Sequence, residues 1–110
     1  MKPAKYDIRT YQGDSYTLDF DIEGDWSGKT WRMTIRSPLS EETPALEYDE
    51  IEVTYDSEED ETNVRIPISP ADSESLDANV IYFYDVDARD TEGTNTILAG
   101  TFSLENEVSR

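Results

Sequence analysis

Carboxylate oxygen is the only reactive chemistry that this sequence offers in quantity. Of its 110 residues, 26 are Asp or Glu, and His and Cys are both absent. Without imidazole or thiol there is no His-assisted nucleophile, no thiol enzyme and no ordinary zinc site. Paired carboxylates remain, and a glycosidase-like use of them needs a cleft that holds one carboxyl in apolar surroundings. Among so many acids, neighbouring pairs arise by chance, so no enzyme and no cofactor are expected. Calcium is the one ion with candidate ligands, in Asp56-Ser57-Glu58-Glu59-Asp60-Glu61 and in the set Asp85, Asp87 and Asp90. Neither has the spacing of an EF-hand loop. Asp85 and Asp87 alternate with Tyr84 and Val86, so a solvated strand face also accounts for them.

The balance of charge narrows the partners. Nine basic residues against 26 acidic ones leave a formal net charge of −17 and a sequence pI near 4.1. Binding to nucleic acid requires clustered Lys and Arg, which are missing, and an anionic membrane surface would repel the chain. No apolar run approaches the roughly 20 residues of a membrane span, and Met1-Lys2-Pro3-Ala4-Lys5 lacks the apolar stretch of a signal peptide. A soluble chain not secreted by that route is expected. Such a surface repels itself in dilute buffer, but at 1 M salt the Debye length falls to about 3 Å and most of the penalty is screened. A salt-rich environment therefore fits the composition.

The elements that must position these residues are strands. Alternation with period two dominates, and 110 residues suit one domain, here 1–110 with a short N-terminal arm at 1–5. A first strand is expected over 6–11, followed by a turn at Gln12-Gly13-Asp14. Tyr16, Leu18, Phe20 and Ile22 share one face of the next strand, with Thr17, Asp19 and Asp21 on the other. After a glycine-containing loop around Trp26, Trp31, Met33 and Ile35 repeat the pattern up to Pro38. Residues 37–49 read as an irregular excursion carrying Leu39, Leu46 and Tyr48. Ile51, Val53 and Tyr55 then pair with Val64, Ile66 and Ile68 as a hairpin with an acidic tip. Ser69-Pro70-Ala71-Asp72 has the form of a helix start, with Leu76 as anchor. The last hairpin is expected over 80–88 and 96–104 with a turn at 90–95, so that seven strands fold into a sandwich.

The order of the motifs resembles a small β-sandwich domain found among structural proteins of tailed viruses. The similar pieces are Tyr6-Asp7-Ile8, Gln12-Gly13-Asp14-Ser15-Tyr16 with Leu18, Trp26-Ser27-Gly28-Lys29-Thr30-Trp31-Arg32-Met33 leading to Ile35-Arg36, Ile68-Ser69-Pro70-Ala71-Asp72 with Leu76, Tyr82-Phe83-Tyr84-Asp85-Val86, and Leu98-Ala99-Gly100-Thr101-Phe102 leading to Glu107-Val108-Ser109-Arg110. The resemblance implies an all-β, immunoglobulin-like or baseplate-type antiparallel β-sandwich with one short helical turn. It implies a virion protein, made in the host cytoplasm, that docks to other virion proteins at a tail, baseplate, neck or fibre and is present in several copies or as a homo-oligomer. Capsid decoration is the alternative, and adhesion to a host receptor or glycan a lesser one. With the acidic composition, a virus of halophilic archaea is the expected source.

Candidate docking residues follow from the alternation. Ile81 and Phe83 point opposite to Tyr82 and Tyr84 and should lie outside the last hairpin, unless the 37–49 excursion covers them. Trp26 offers a loop aromatic that would stack on a partner or cap the core. Lys2 and Lys5 make the N-terminal arm locally basic, suited to an acidic neighbour or to a frayed end. Asp19, Asp21, Glu50 and Glu52 have the character of edge protection.

Overall fold

The computed structural model describes residues 4–38 and 44–105. In chain order its strands are β1 (Ala4–Lys5), β2 (Ile8–Tyr11), β3 (Tyr16–Glu23), β4 (Thr30–Arg36), β5 (Leu46–Tyr48), β6 (Glu52–Asp56), β7 (Glu61–Ile68), β8 (Ile81–Asp90) and β9 (Gly93–Glu105), with one helix, α1 (Pro70–Ser75), between β7 and β8. They build an all-β sandwich of two sheets. One runs β1-β9-β8-β4-β5, with β2 also on β9, and the other runs β3-β7-β6.

The alternating side chains meet between the sheets. Leu18, Val64, Ile66 and Ile68 come from the smaller sheet, and Trp31, Met33, Ile35, Tyr82, Tyr84, Val86 and Phe102 from the larger. Each of these positions is spaced by two in its strand, so one face is apolar and the other free to be acidic. Asp19 and Asp21 stand on β3, and Glu52 on β6, the two edges of the smaller sheet. The helix begins as its sequence dictates. The Ser69 hydroxyl accepts the Asp72 N–H, Pro70 occupies the first turn, and Leu76 is buried just past the end.

Four expectations are corrected. The strand expected over 6–11 begins only at Ile8, because at Tyr6-Asp7 the chain steps closely across Gly100, with no regular ladder there. Ala4 and Lys5, placed in a terminal arm by the sequence, pair in parallel with Leu98 and Ala99. Within the excursion, Leu46–Tyr48 is a strand on the edge of β4, which with β1 raises the strands to nine among the described residues. The last turn is tighter than expected and occupies Thr91-Glu92, since the Asp90 carboxylate accepts the N–H groups of both Glu92 and Gly93.

A bulge between Val86 and Asp87 shifts the register so that Val86 faces Leu98 while Asp87 faces Thr96. Ile97 is the extra residue, and both it and Leu98 are buried. Strict alternation hides that second core position.

Candidate functional site

The outer face of the larger sheet carries the two most exposed of the large apolar residues described. Ile81 is 58% and Phe83 52% exposed. Their cross-strand neighbours on β9 are Ser103 and Thr101, and on β4 Phe83 stands beside Arg36. Small side chains on β9 therefore leave the two large ones standing proud of the sheet. Leu46 and Tyr48 do not cover them, since both turn toward the core on the far side of β4. Leu39 lies outside the described residues.

Phe83 also lines a shallow depression of about 360 Å³ with Lys5, Asp7, Asp85, Ala99 and Thr101. Two of the candidate docking residues, Lys5 and Phe83, thus share one feature, with Ile81 two positions along the same strand. Lys2 lies outside the described residues. Asp85 sits at the rim, where burial pushes its carboxyl above the usual range; Asp87 adds to the rise and Arg36 opposes it.

Trp26 is elsewhere and otherwise employed. It lies in the β3–β4 loop, half-buried against the core, with its ring 6.3 Å from that of Trp31. Its indole N–H donates to the Glu23 carbonyl at 2.9 Å and its backbone N–H to the buried Thr62 hydroxyl at 2.8 Å. Lys29 lies over the ring and pairs with Asp90. The geometry is that of a cap on the end of the core.

The acidic loop of the β6–β7 hairpin is organised by its own hydrogen bonds. Asp56 accepts the N–H groups of Glu58 and Glu59, and Asp60 accepts the Tyr55 hydroxyl at 2.7 Å. Asp90, the third of the other set, is held below the ordinary carboxylate range first by Lys29 and then by the Glu92 N–H. Among the described residues no group of three or more acidic side chains is gathered as a metal site. No helix among them is long and apolar enough to cross a membrane.

Several motifs prove to be pairs of clamps. Tyr6 N–H donates to the Ala99 carbonyl, the Tyr84 hydroxyl to the Tyr6 carbonyl, and Thr101 N–H to the Asp7 carboxylate at 3.0 Å. Gln12 donates to the Leu76 carbonyl at 2.7 Å, and Gly13 N–H to the buried Ser73 hydroxyl at 2.9 Å. These contacts join Tyr6-Asp7-Ile8 to Leu98-Ala99-Gly100-Thr101 and Gln12-Gly13-Asp14 to the helix. They were missed at the sequence level because each joins residues about sixty or more apart.

No family model matches this chain. No curated protein matches it either. Solved structures do, among them the crystal structure of the titin M3 domain, to which this sandwich is similar over 94% of its own length and 92% of that chain, at 13% identity and a TM-score of 0.45. The likeness is one of overall shape alone, and no functional residue comes with it.

Proposed function

We propose that this chain is a non-enzymatic structural module of a tailed virus particle, docking to other virion proteins at a tail, baseplate, neck or fibre through the outer face of β8 and β9. The observation that supports the reading most is the exposure of Ile81 and Phe83, side by side, on a domain whose surface is otherwise dominated by acids. Large apolar side chains kept in water are costly unless a partner removes them, and aromatic anchors of this kind dominate interface energies. Lys5, in the same depression, adds a positive charge beside the anchor. The order of the motifs, together with the net charge of −17, supports a virion and a salt-rich source. Multiple copies in one particle, each brought there by a neighbour, fit a surface that repels its own kind.

The test is a reconstruction of purified particles together with Phe83→Ser. The expected map shows the domain with Phe83 against a neighbouring protein, at a copy number matching a tail or neck ring. Phe83→Ser should leave the isolated domain folded and lower incorporation about tenfold or more, as loss of an anchor does. Equal incorporation overturns the docking face, copies that follow capsid symmetry replace the tail reading by decoration, and absence from particles overturns the virion assignment.

A further inference from the structure

The two sheets are unequal, and the mismatch leaves one flank of the sandwich open. The larger sheet continues past β9 to β1 and β2, whereas the facing sheet ends at β3. A groove of about 550 Å³ lies between these two edges, with Ala4, Tyr6 and Leu98 on one wall and Tyr16, Leu18 and Phe20 on the other. Its lining is mostly apolar but wet, with Lys5 at its edge: Tyr6 is 51% exposed, and Tyr16 and Phe20 are only half-buried.

The same groove borders unpaired backbone. Gly24 N–H donates to the Asp60 carbonyl, one step beyond the Glu23–Glu61 pair of the β3–β7 ladder. Bonded and non-bonded pairs alternate in an antiparallel ladder. Tyr16, Leu18, Phe20 and Ile22 therefore turn their N–H and C=O groups toward β7, and Thr17, Asp19 and Asp21 turn theirs toward the open flank. Thr17 and Asp19 do line the groove, although their side chains lie on the solvent face. Among the described residues no strand pairs with this side of β3.

Charge selects the occupant. On the solvent face of β3 the Asp19 and Asp21 carboxylates both accept from the Asn63 amide, at 2.7 and 3.0 Å, and Asp19 also meets Arg65 at 3.4 Å. Glu23 extends the acidic row, so one Arg faces three carboxylates. A second copy of the chain, added edge to edge, would set these acids against their own kind, which is unfavourable across a strand pair.

We propose that the open edge of β3 is a strand-addition site for an extended segment of a partner protein in which apolar and basic residues alternate. Its backbone continues the ladder at Thr17, Asp19 and Asp21. Its apolar side chains fill the groove against Tyr6, Tyr16 and Phe20, and its Lys or Arg side chains lie over Asp19 and Asp21. Lys5 borders both this groove and the Phe83 depression, but the proposal does not depend on the Ile81–Phe83 face.

Two synthetic decapeptides, one alternating Val with Lys and one alternating Val with Glu, serve as probes against the full chain, with backbone amide exchange read by NMR. With the Lys peptide at ten times its dissociation constant, exchange at Thr17, Asp19 and Asp21 should slow about tenfold. Phe83 should not respond, and the Glu peptide should give no protection. Thr17→Pro removes one donor from an edge position that tolerates proline, and should abolish protection. The pair Asp19→Lys and Asp21→Lys should transfer the preference to the Glu peptide, which decides the matter should the proline variant not fold. No protection with either peptide, protection that survives Thr17→Pro in a folded chain, or a charge-reversed pair that still prefers the Lys peptide overturns the proposal.

Discussion

A methyl group on Gly100 would stand 2.2 Å from the carbonyl oxygen of Tyr6. The contact involves backbone on both sides, so no flexible side chain can yield, and the same carbonyl accepts the Tyr84 hydroxyl. Gly100→Ala should therefore prise the Tyr6-Asp7 crossing off β9 and cost about 1–3 kcal/mol, the usual range for overpacking. Gly28, whose added methyl would meet nothing, is the control and should change stability by less than about 0.5 kcal/mol. Urea unfolding of the two variants measures the difference.

Ser73 joins the helix to the Gln12-Gly13-Asp14 turn from a fully buried position, accepting the Gly13 N–H at 2.9 Å and lying 3.0 Å from the Asp14 carbonyl. Ser73→Ala should leave that N–H without its acceptor and cost about 1–3 kcal/mol. Calorimetric melting checks it, and a loss as small as that of an exposed serine such as Ser75 would contradict the clamp.

Asp85 should weaken the fold at neutral pH. Its folded-state pKa is raised above the ordinary 3.8 by burial first and then by Asp87. A raised carboxylate penalises the folded state above that folded pKa, and the penalty fades as pH falls through it and is gone below the unfolded value. Asp85→Asn is thus expected to raise Tm modestly at pH 7, solvent screening limiting the gain, and to give no gain below about pH 3.8. Melting curves of both proteins from pH 3 to 7 test the sign.

Asp7 should behave in the opposite sense. Its carboxyl is held below 3.8, first by the Thr101 N–H. Its contribution is present above the unfolded value and lost as pH falls through the lower folded one. Asp7→Asn is expected to destabilise the attachment of β2 at pH 7 and to become neutral in strong acid, as read by amide exchange at Thr101.

Added salt should stabilise the domain. Nine bases cannot neutralise 26 acids, and the four ion pairs found among the described residues are largely at the surface. Tm should climb between dilute buffer and about 1 M NaCl, as the screening length falls from tens of ångströms to about 3 Å. A flat response would show that the acids are spaced widely enough to be harmless.

Legibility in the sequence tracked the range of the interaction. Strands β3, β4 and β7 were plain because alternation is local, and the Ser69-Pro70 helix start was plain because a cap is written within four residues. The outward placement of Ile81 and Phe83 followed from the same parity. Ile97 was hidden by a bulge, which breaks parity without any residue signal of its own, and β5 by its length of three residues. The Tyr6–Gly100 approach was invisible because a glycine needed for a close contact looks like any other until its neighbour is known. The groove beside β3 was invisible for a further reason, since it depends on how many strands each sheet contains.

The parallel seating of β1 and β2 on β9 also bears on how the chain comes to its native state. Asp7 and Thr101, 94 positions apart, are partners, and β9 has β8 on its other side. A nascent chain cannot complete the larger sheet until β9 has left the ribosome, because β1, β2 and β8 all pair with it. Closing so long a loop is slow, and sheets dominated by distant pairings fold on millisecond to second scales. Until then the inner face of the larger sheet is incomplete, and the net charge of −17 would work against association of neighbouring chains.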